Sequence, residues 1–211
     1  MTGDTKVVER GKGDQIYINT SGIGIVHEKA NIKIQNIQEN DVIIINVPIA
    51  SHGMAIMSGR EGLEFESDIL SDTINLNHIV LDLIEKFGDK IHFVRDATRG
   101  GLTSVLHEIA TEINLGVFLF EDKIKVENQV KSACEVLGLD PLYVSNEGIF
   151  VYVAAPEIKD EVLTILQKVN SNASAIGFVT DEYLSKIIIE SSFGGKRVVN
   201  PLVDEQLPRI C

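Results

Sequence analysis

Two segments of the chain repeat apolar residues at intervals of three and four positions, the spacing that places them on one face of a helix. The first ends at a glycine, and its apolar residues are Leu76, Ile79, Val80, Leu83, Ile84 and Phe87. The second follows a Gly-Gly pair and contains Leu102, Val105, Leu106, Ile109, Ala110 and Ile113. Both segments are predicted to be amphipathic helices that pack against a core.

Short apolar runs between these segments predict strands. Residues 41–47 are apolar on both faces, which is typical of a strand covered on both sides. A proline at position 156 stands where a helix prefers one, at its first residue. The predicted strands are 15–19, 21–26, 41–47, 91–94, 117–120, 149–155, 175–179 and 186–190, and the predicted helices are 54–61, 75–87, 102–113, 129–137 and 156–169.

The alternation of strands and helices predicts the fold class, an α/β (α+β) layered sandwich in which a mixed sheet packs against helices. A domain boundary is expected near residue 40, because the hairpin-like start gives way there to regular β-α alternation.

Composition narrows the range of partners. The net charge of −12 over 211 residues speaks against nucleic acid or an anionic membrane, because phosphate groups need clustered lysine and arginine. No apolar run approaches the ~20 residues of a membrane span, and the polar first residues are unlike a signal peptide. Two cysteines do not make a disulfide framework, and Cys134 fits a small buried hydrophobe. We expect a cytoplasmic protein.

A candidate phosphate site lies between a predicted strand and a predicted helix, in Asp96-Ala97-Thr98-Arg99-Gly100-Gly101. Two glycines let the backbone approach a ligand, and a helix start offers amides and the positive end of its dipole. Asp96 could cap the turn or hold a metal, and Arg99 could pair with phosphate. A tight strand-to-helix turn with no ligand explains the same residues.

Two other charged residues allow a functional and a structural interpretation. Glu147, in Asn146-Glu147-Gly148, is either a base at the end of a sheet or part of a polar turn. Lys6 is either a phosphate contact or an ordinary exposed lysine. His52 and His107 are not spaced with other ligands as in a metal site, so no metal ligand is assigned.

The chain stops on a cysteine, Cys211, preceded by a segment that two prolines keep extended. A short terminal segment has few contacts and can move, so one partner could modify this thiol and another site could then receive it. Arg209 would lower the pKa of the thiol, whereas the terminal carboxylate would raise it. The alternative is an idle terminal residue.

Motifs along the whole chain resemble the HypE family of hydrogenase maturation factors. The closing Pro-Arg-Ile-Cys is the most specific, whereas Asp-x-Thr-Arg-Gly-Gly is shared with the ATP-using superfamily of aminoimidazole ribonucleotide synthetase (PurM-like) and selenophosphate synthetase. Ala97 stands where proline is expected. In chain order the motifs are Thr2-Gly3-Asp4-Thr5-Lys6-Val7-Val8, Asn19-Thr20-Ser21-Gly22-Ile23-Gly24, His52-Gly53, Arg60-Glu61-Gly62, Arg95-Asp96-Ala97-Thr98-Arg99-Gly100-Gly101-Leu102, Asp140-Pro141-Leu142-Tyr143, Asn146-Glu147-Gly148 and Pro208-Arg209-Ile210-Cys211.

The resemblance implies a division of the chain and a missing part. Residues 1–40 would be a remnant of the N-terminal ATP-binding domain, residues 41–198 a PurM-like C-terminal domain, and residues 199–211 a flexible tail that ends in the carrier cysteine. The family normally has ~100 or more further residues, of domain size, which carry aspartates for Mg-ATP and the sheet of a homodimer. The chain alone is therefore expected to be inactive.

The resemblance also implies a reaction. A partner carbamoyltransferase, HypF, places a carbamoyl group on the sulfur of Cys211, and ATP with Mg²⁺ activates the carbonyl oxygen by phosphorylation. Loss of two protons and phosphate leaves a thiocyanate, and the cyano group passes to iron on the HypC–HypD scaffold as a cyanide ligand of [NiFe]-hydrogenase. The implied roles are Cys211 as carrier, Lys6 as the cation for developing charge, Glu147 as base, and Asp4, Asp96, Thr98, Arg99, Gly100 and Gly101 as nucleotide-binding residues.

Two other functions remain open from the sequence. Another PurM-like enzyme could use ATP on a free small molecule, and it would not need Cys211. A non-catalytic domain could instead dock maturation partners without turnover.

Overall fold

The computed structural model describes residues 21–61 and 69–202, so the predicted site residues Asp4, Lys6 and Cys211 lie outside the described part. The described residues form strands and helices that alternate along most of the chain. The strands are β1 (Val42–Ile45), β2 (Ile91–Asp96), β3 (Gly116–Phe120), β4 (Phe150–Ala154), β5 (Ser174–Thr180), β6 (Ile187–Glu190) and β7 (Lys196–Val199). The α-helices are α1 (Ser51–Glu61), α2 (Asn77–Phe87), α3 (Gly101–Ile113), α4 (Asn128–Leu137) and α5 (Lys159–Val169).

The strands form a seven-stranded sheet in the order β2-β4-β1-β5-β3-β6-β7. Every neighbouring pair is antiparallel except β3 and β6, which are parallel. A register shift interrupts the pairing of β1 with β5 between Ile43 and Ile44. The sheet is therefore mixed, as the sequence predicts.

Helices cover both faces of this sheet, which explains why β1 is a continuous apolar run. Successive side chains of a strand point to opposite faces, so Ile43 and Ile45 join one core and Ile44 joins the other. The first core includes residues of α1, α3 and α4, and the second includes residues of α2 and α5. This layered arrangement confirms the predicted fold class.

One strand prediction is wrong and one strand was not predicted, and the predicted strand 15–19 lies outside the described residues. Residues 21–26 form no strand, and Ile23 and Ile25 are fully exposed; a strand needs a paired neighbour, and no described residue provides one. β7 was not predicted, because Lys196-Arg197-Val198 are exposed and show no apolar alternation. Pairing with β6 across a glycine-containing hairpin stabilises this edge strand.

Cys134 lies in the first core, with 1% of its surface exposed, as its helical neighbours predict. Burial, with smaller contributions from Asp140 and Glu135, raises the pKa of its thiol to about 11. Among the residues described, no helix is both long enough and apolar enough to cross a membrane.

We predict that Tyr152→Phe leaves the free energy of unfolding unchanged or raises it by up to about 1 kcal/mol, as measured by urea denaturation. The hydroxyl of Tyr152 is buried in the second core without a hydrogen-bond partner among the described residues, so its removal loses no bond. Tyr143→Phe is the matched control, because the Tyr143 hydroxyl donates to the carbonyl oxygen of Asn200 over 2.8 Å. The control should lose about 0.5–1.5 kcal/mol. An equal loss for Tyr152→Phe would show that its hydroxyl is bonded.

Candidate functional site

The predicted phosphate loop, residues 96–101 and called here the glycine loop, connects the end of β2 to the start of α3. Asp96 is the last residue of β2, so the strand is two residues longer than predicted. Its carboxylate accepts a hydrogen bond from the Thr98 hydroxyl at 3.3 Å. Asp96 and Arg99 are exposed, and Gly100 adopts a left-handed conformation with a φ of 71°. The loop thus presents a carboxylate, a hydroxyl and a guanidinium group close to the start of a helix.

Gly101 is required by packing within the chain. Its φ is 62°, and a Cβ at this position would lie 2.6 Å from the carbonyl oxygens of both Leu142 and Val144. Its amide donates to the carbonyl oxygen of Thr98 at 3.1 Å. The glycine therefore makes room for the chain's own backbone, and ligand contact by Gly101 stays a prediction.

The last described residues of the chain lie beside the glycine loop. The hydroxyl of Tyr143 donates to the carbonyl oxygen of Asn200 at 2.8 Å. Leu202 Cδ2 lies 3.5 Å from the point that a Cβ on Gly100 would occupy. The last described residues of the chain therefore lie next to the loop that the sequence predicts to bind phosphate.

Asn146 connects three loops, a role that its sequence position did not indicate. Its side-chain oxygen accepts from the amide of Ala50 at 2.7 Å. Its side-chain nitrogen donates to the carbonyl oxygens of Ala97 at 2.8 Å and Val144 at 3.1 Å. Only 1% of its surface is exposed. Because its partners lie up to 96 positions away, no local pattern could have revealed this arrangement.

Glu147 projects from the segment that Asn146 anchors. The side chain of Asn46 holds the other side of that segment, through the carbonyl oxygen of Gly148 at 2.9 Å and the amide of Phe150 at 3.0 Å. The amide of Glu147 donates to the carboxylate of Asp72 at 3.1 Å. The Glu147 side chain keeps 32% of its surface exposed. A carboxylate on a fixed backbone, still partly open to solvent, is a suitable base.

Glu147 belongs to a polar cluster, called here the His52 cluster, which consists of His52, Ser71, Asp72, Thr73 and Glu147. His52 Nε2 lies 3.9 Å from Glu147 Oε1, and His52 Nδ1 lies 2.9 Å from the Ser71 hydroxyl. Burial raises the pKa of Asp72, and hydrogen bonds from the amides of Glu147 and Gly148 and the nearby His52 partly oppose this shift. The sequence did not predict the cluster, because His52, Asp72 and Glu147 lie far apart along the chain and meet only in the fold.

The described residues do not form a closed metal site, but two of them have the chemistry to contact a magnesium-bound phosphate. Among them, no group of three histidine, cysteine, aspartate or glutamate side chains could hold an ion. Mg²⁺ commonly binds one or two carboxylates together with substrate phosphates. Asp96 fits the carboxylate part of such a set, and Arg99 fits the charge of a phosphate.

Comparison with known families places the chain in one of them. The domain described as "AIR synthase related protein, C-terminal domain" matches residues 38–190, and the chain belongs to this family. Along its whole length the chain is 44% identical, over 215 aligned residues, to the carbamoyl dehydratase HypE of Rhizobium leguminosarum bv. viciae. It is 34% identical, over 213 residues, to the carbamoyl dehydratase HypE of Escherichia coli K12. The resemblance to the HypE family is confirmed.

The chain spans about three fifths of these relatives, 61% of the first and 62% of the second. The crystal structure of a HypE–HypF complex matches with a TM-score of 0.79 and 36% identity, over 83% of this chain and 57% of that one. HypE in complex with ATP matches with a TM-score of 0.80 and 34% identity, over 85% and 55%. A PurL of T. maritima, at 16% identity and a TM-score of 0.54, shares the fold. The PurM-like fold is confirmed.

We predict that Gly101→Ala destabilises the fold far more than Gly138→Ala. Both residues have a positive φ, 62° and 68°, and alanine in that conformation costs about 1 kcal/mol. In the described part of the chain nothing lies within 4 Å of a Cβ at Gly138, whereas at Gly101 two carbonyl oxygens lie at 2.6 Å. The clash should cost a further amount of about 1–3 kcal/mol in urea denaturation. Equal losses for the two variants would contradict the packing explanation.

We predict that Asp72→Asn stabilises the protein at neutral pH. A folded-state pKa above the ordinary 3.8 means that ionisation of Asp72 favours unfolding, so the wild type loses stability as the pH rises above that value. Asparagine keeps an oxygen for the amide of Glu147 and carries no charge. Denaturation midpoints should favour the variant at neutral pH, and the advantage should shrink below pH 3.8. Asp181→Asn, in an exposed turn, is the control and should show little difference at either pH. A variant less stable than the wild type at neutral pH would contradict the prediction.

Proposed function

We propose that this chain is the thiol-bearing part of an ATP-dependent carbamoyl dehydratase that serves [NiFe]-hydrogenase maturation. The observation that carries the proposal is the position of Asn200 and Leu202 beside the glycine loop. Similarity along the whole of this chain to proteins named carbamoyl dehydratase HypE supports it. The proposed activity is that of the relatives, of which this chain spans about three fifths.

The covalent reach of the tail supports a carrier role for Cys211. Nine residues separate Leu202 from Cys211 inclusive of the cysteine. A chain spans at most ~3.3–3.6 Å per residue, so these residues can extend over about 30 Å. A thiol on such a tether can reach the glycine loop and also a partner that docks outside it.

The proposed chemistry begins at sulfur. A carbamoyl group replaces the thiol hydrogen of Cys211, and HypF is the proposed donor enzyme because a relative forms a HypE–HypF complex. ATP supplies the phosphoryl group that turns the carbonyl oxygen into a leaving group. The nitrogen then loses two protons, the carbon–oxygen bond breaks with departure of phosphate, and a thiocyanate remains on sulfur.

The residues of this chain have separate roles in these reaction steps. Glu147 takes the protons from nitrogen, because its carboxylate is partly exposed on a fixed backbone. Arg99 and Lys6 offset the negative charge that develops on phosphate. Thr98 and Gly100 shape the glycine loop, and Asp96 would supply a carboxylate to a magnesium ion that offsets phosphate charge. Asp4 and Gly101 are further proposed nucleotide contacts.

Several parts of the proposal rest on the family resemblance alone. These are the Mg²⁺ ion, transfer of the cyano group to iron on a HypC–HypD scaffold, a homodimer formed by the whole protein, and a cytoplasmic location. The second candidate function is a non-catalytic module that docks maturation partners, which the structure of a relative in a HypE–HypF complex favours. An enzyme that uses ATP on a free small molecule remains a third.

The decisive experiment measures the intact mass of the protein after incubation with the carbamoyltransferase, carbamoyl phosphate and ATP. The chain is tested alone and together with the remaining length that its relatives carry. We expect a gain of one carbamoyl group followed by the loss of one water from the adduct. Cys211→Ala should abolish both changes, whereas Cys134→Ala, a change in the buried core, should retain them.

Three outcomes separate the candidates. An adduct that survives Cys211→Ala would overturn the carrier role. ATP-dependent turnover of a free small molecule that Cys211→Ala leaves intact would favour the third candidate. No adduct on either form, with binding of the carbamoyltransferase retained, would favour the docking module.

A further inference from the structure

In the His52 cluster, His52 and Glu147 face each other at a distance slightly too long for a hydrogen bond. His52 Nε2 is buried and has no hydrogen-bond partner among the described residues. One acceptor that it faces is Glu147 Oε1, at 3.9 Å. Hydrogen bonds of catalytic groups are often long before substrate binds and shorten in the reacting complex. A shift of about 1 Å would turn this ion-pair distance into a hydrogen bond.

The other side of the imidazole is held firmly. His52 Nδ1 lies 2.9 Å from the Ser71 hydroxyl, which lies 2.7 Å from the Thr73 hydroxyl and accepts from the Thr73 amide at 3.2 Å. A proton on Nδ1 would leave a lone pair on Nε2 facing the carboxylate of Glu147, which is repulsive. A proton on Nε2 lets Ser71 donate to Nδ1 and Thr73 donate to Ser71, and it turns a donor toward the Glu147 carboxylate.

We propose that His52 is a positioning residue for Glu147, and that its Nε2–H holds the Glu147 carboxylate in the orientation that takes protons from the substrate nitrogen. Asp72 holds the backbone of Glu147, because its carboxylate accepts a hydrogen bond from the Glu147 amide at 3.1 Å. The backbone and the side chain of the base thus have separate supports. The inference rests on the proposed function, since it takes Glu147 as the base.

The first test reads the imidazole directly and needs no reaction. Nitrogen NMR of the 211-residue chain at mildly alkaline pH distinguishes the two ring nitrogens of His52. We expect the proton on Nε2, a changed Nε2 signal in Glu147→Gln, and a changed Nδ1 signal in Ser71→Ala. A proton on Nδ1, or an Nε2 signal that ignores Glu147→Gln, would overturn the inference.

The second test uses two amide substitutions that each copy one ring nitrogen. The amide of His52→Gln falls near the place of Nε2, and that of His52→Asn falls near the place of Nδ1. We expect His52→Asn to lower kcat for dehydration about 10- to 100-fold with little change in KM for ATP, because a misplaced base acts on the chemical step. His52→Gln should recover most of that loss, and His78→Ala, an exposed histidine on α2, should change nothing.

The outcomes separate this inference from the proposed function. If His52→Asn kept a high kcat and His52→Gln did not, the hydrogen bond between Nδ1 and Ser71 would be the important one. That result would overturn the positioning role. Full activity in Glu147→Gln would overturn Glu147 as base, and with it the proposed chemistry. Loss of activity in Glu147→Gln together with an unperturbed Nε2 signal would leave the proposed function standing and remove His52 from it.

Discussion

The candidate site depends on one buried amide, the side chain of Asn146, which bonds three backbone groups from three loops. Only a carboxamide has one acceptor and two donors in this geometry, and aspartate would place a charge against two carbonyl oxygens. Loss of the amide would leave buried backbone groups unpaired, at about 1–3 kcal/mol each. The bond to Ala50 also holds that residue at a φ of 74°, a conformation that alanine rarely adopts.

This constraint explains why distant motifs meet. The start of α1 is fixed to the same segment a second time, because the amide of Gly53 donates to the carbonyl oxygen of Ser145 at 3.0 Å. The glycine loop is fixed through Ala97, whose amide donates to the carbonyl oxygen of Ile149 at 3.1 Å. His52, the glycine loop and Glu147 are thus positioned by backbone contacts.

The sequence predicts those features that local patterns determine. The apolar spacing of α2 and α3 locates both helices to within two residues, and β1 follows from three consecutive isoleucines that serve two cores. β7 was not predicted, because the stability of an exposed edge strand comes from pairing with its neighbour rather than from a pattern of its own side chains. The His52 cluster was not predicted for a similar reason: His52, Asp72 and Glu147 lie far apart in sequence and meet only in the folded chain.

The burial of Cys134 has a practical consequence for the chemistry of the whole polypeptide. The chain has two cysteines, and the one in the core has a thiol pKa of about 11, so it carries almost no thiolate at physiological pH. Reagents that attack thiolates are therefore expected to spare Cys134 in the native fold at neutral pH. Modification of this sulfur would then report unfolding.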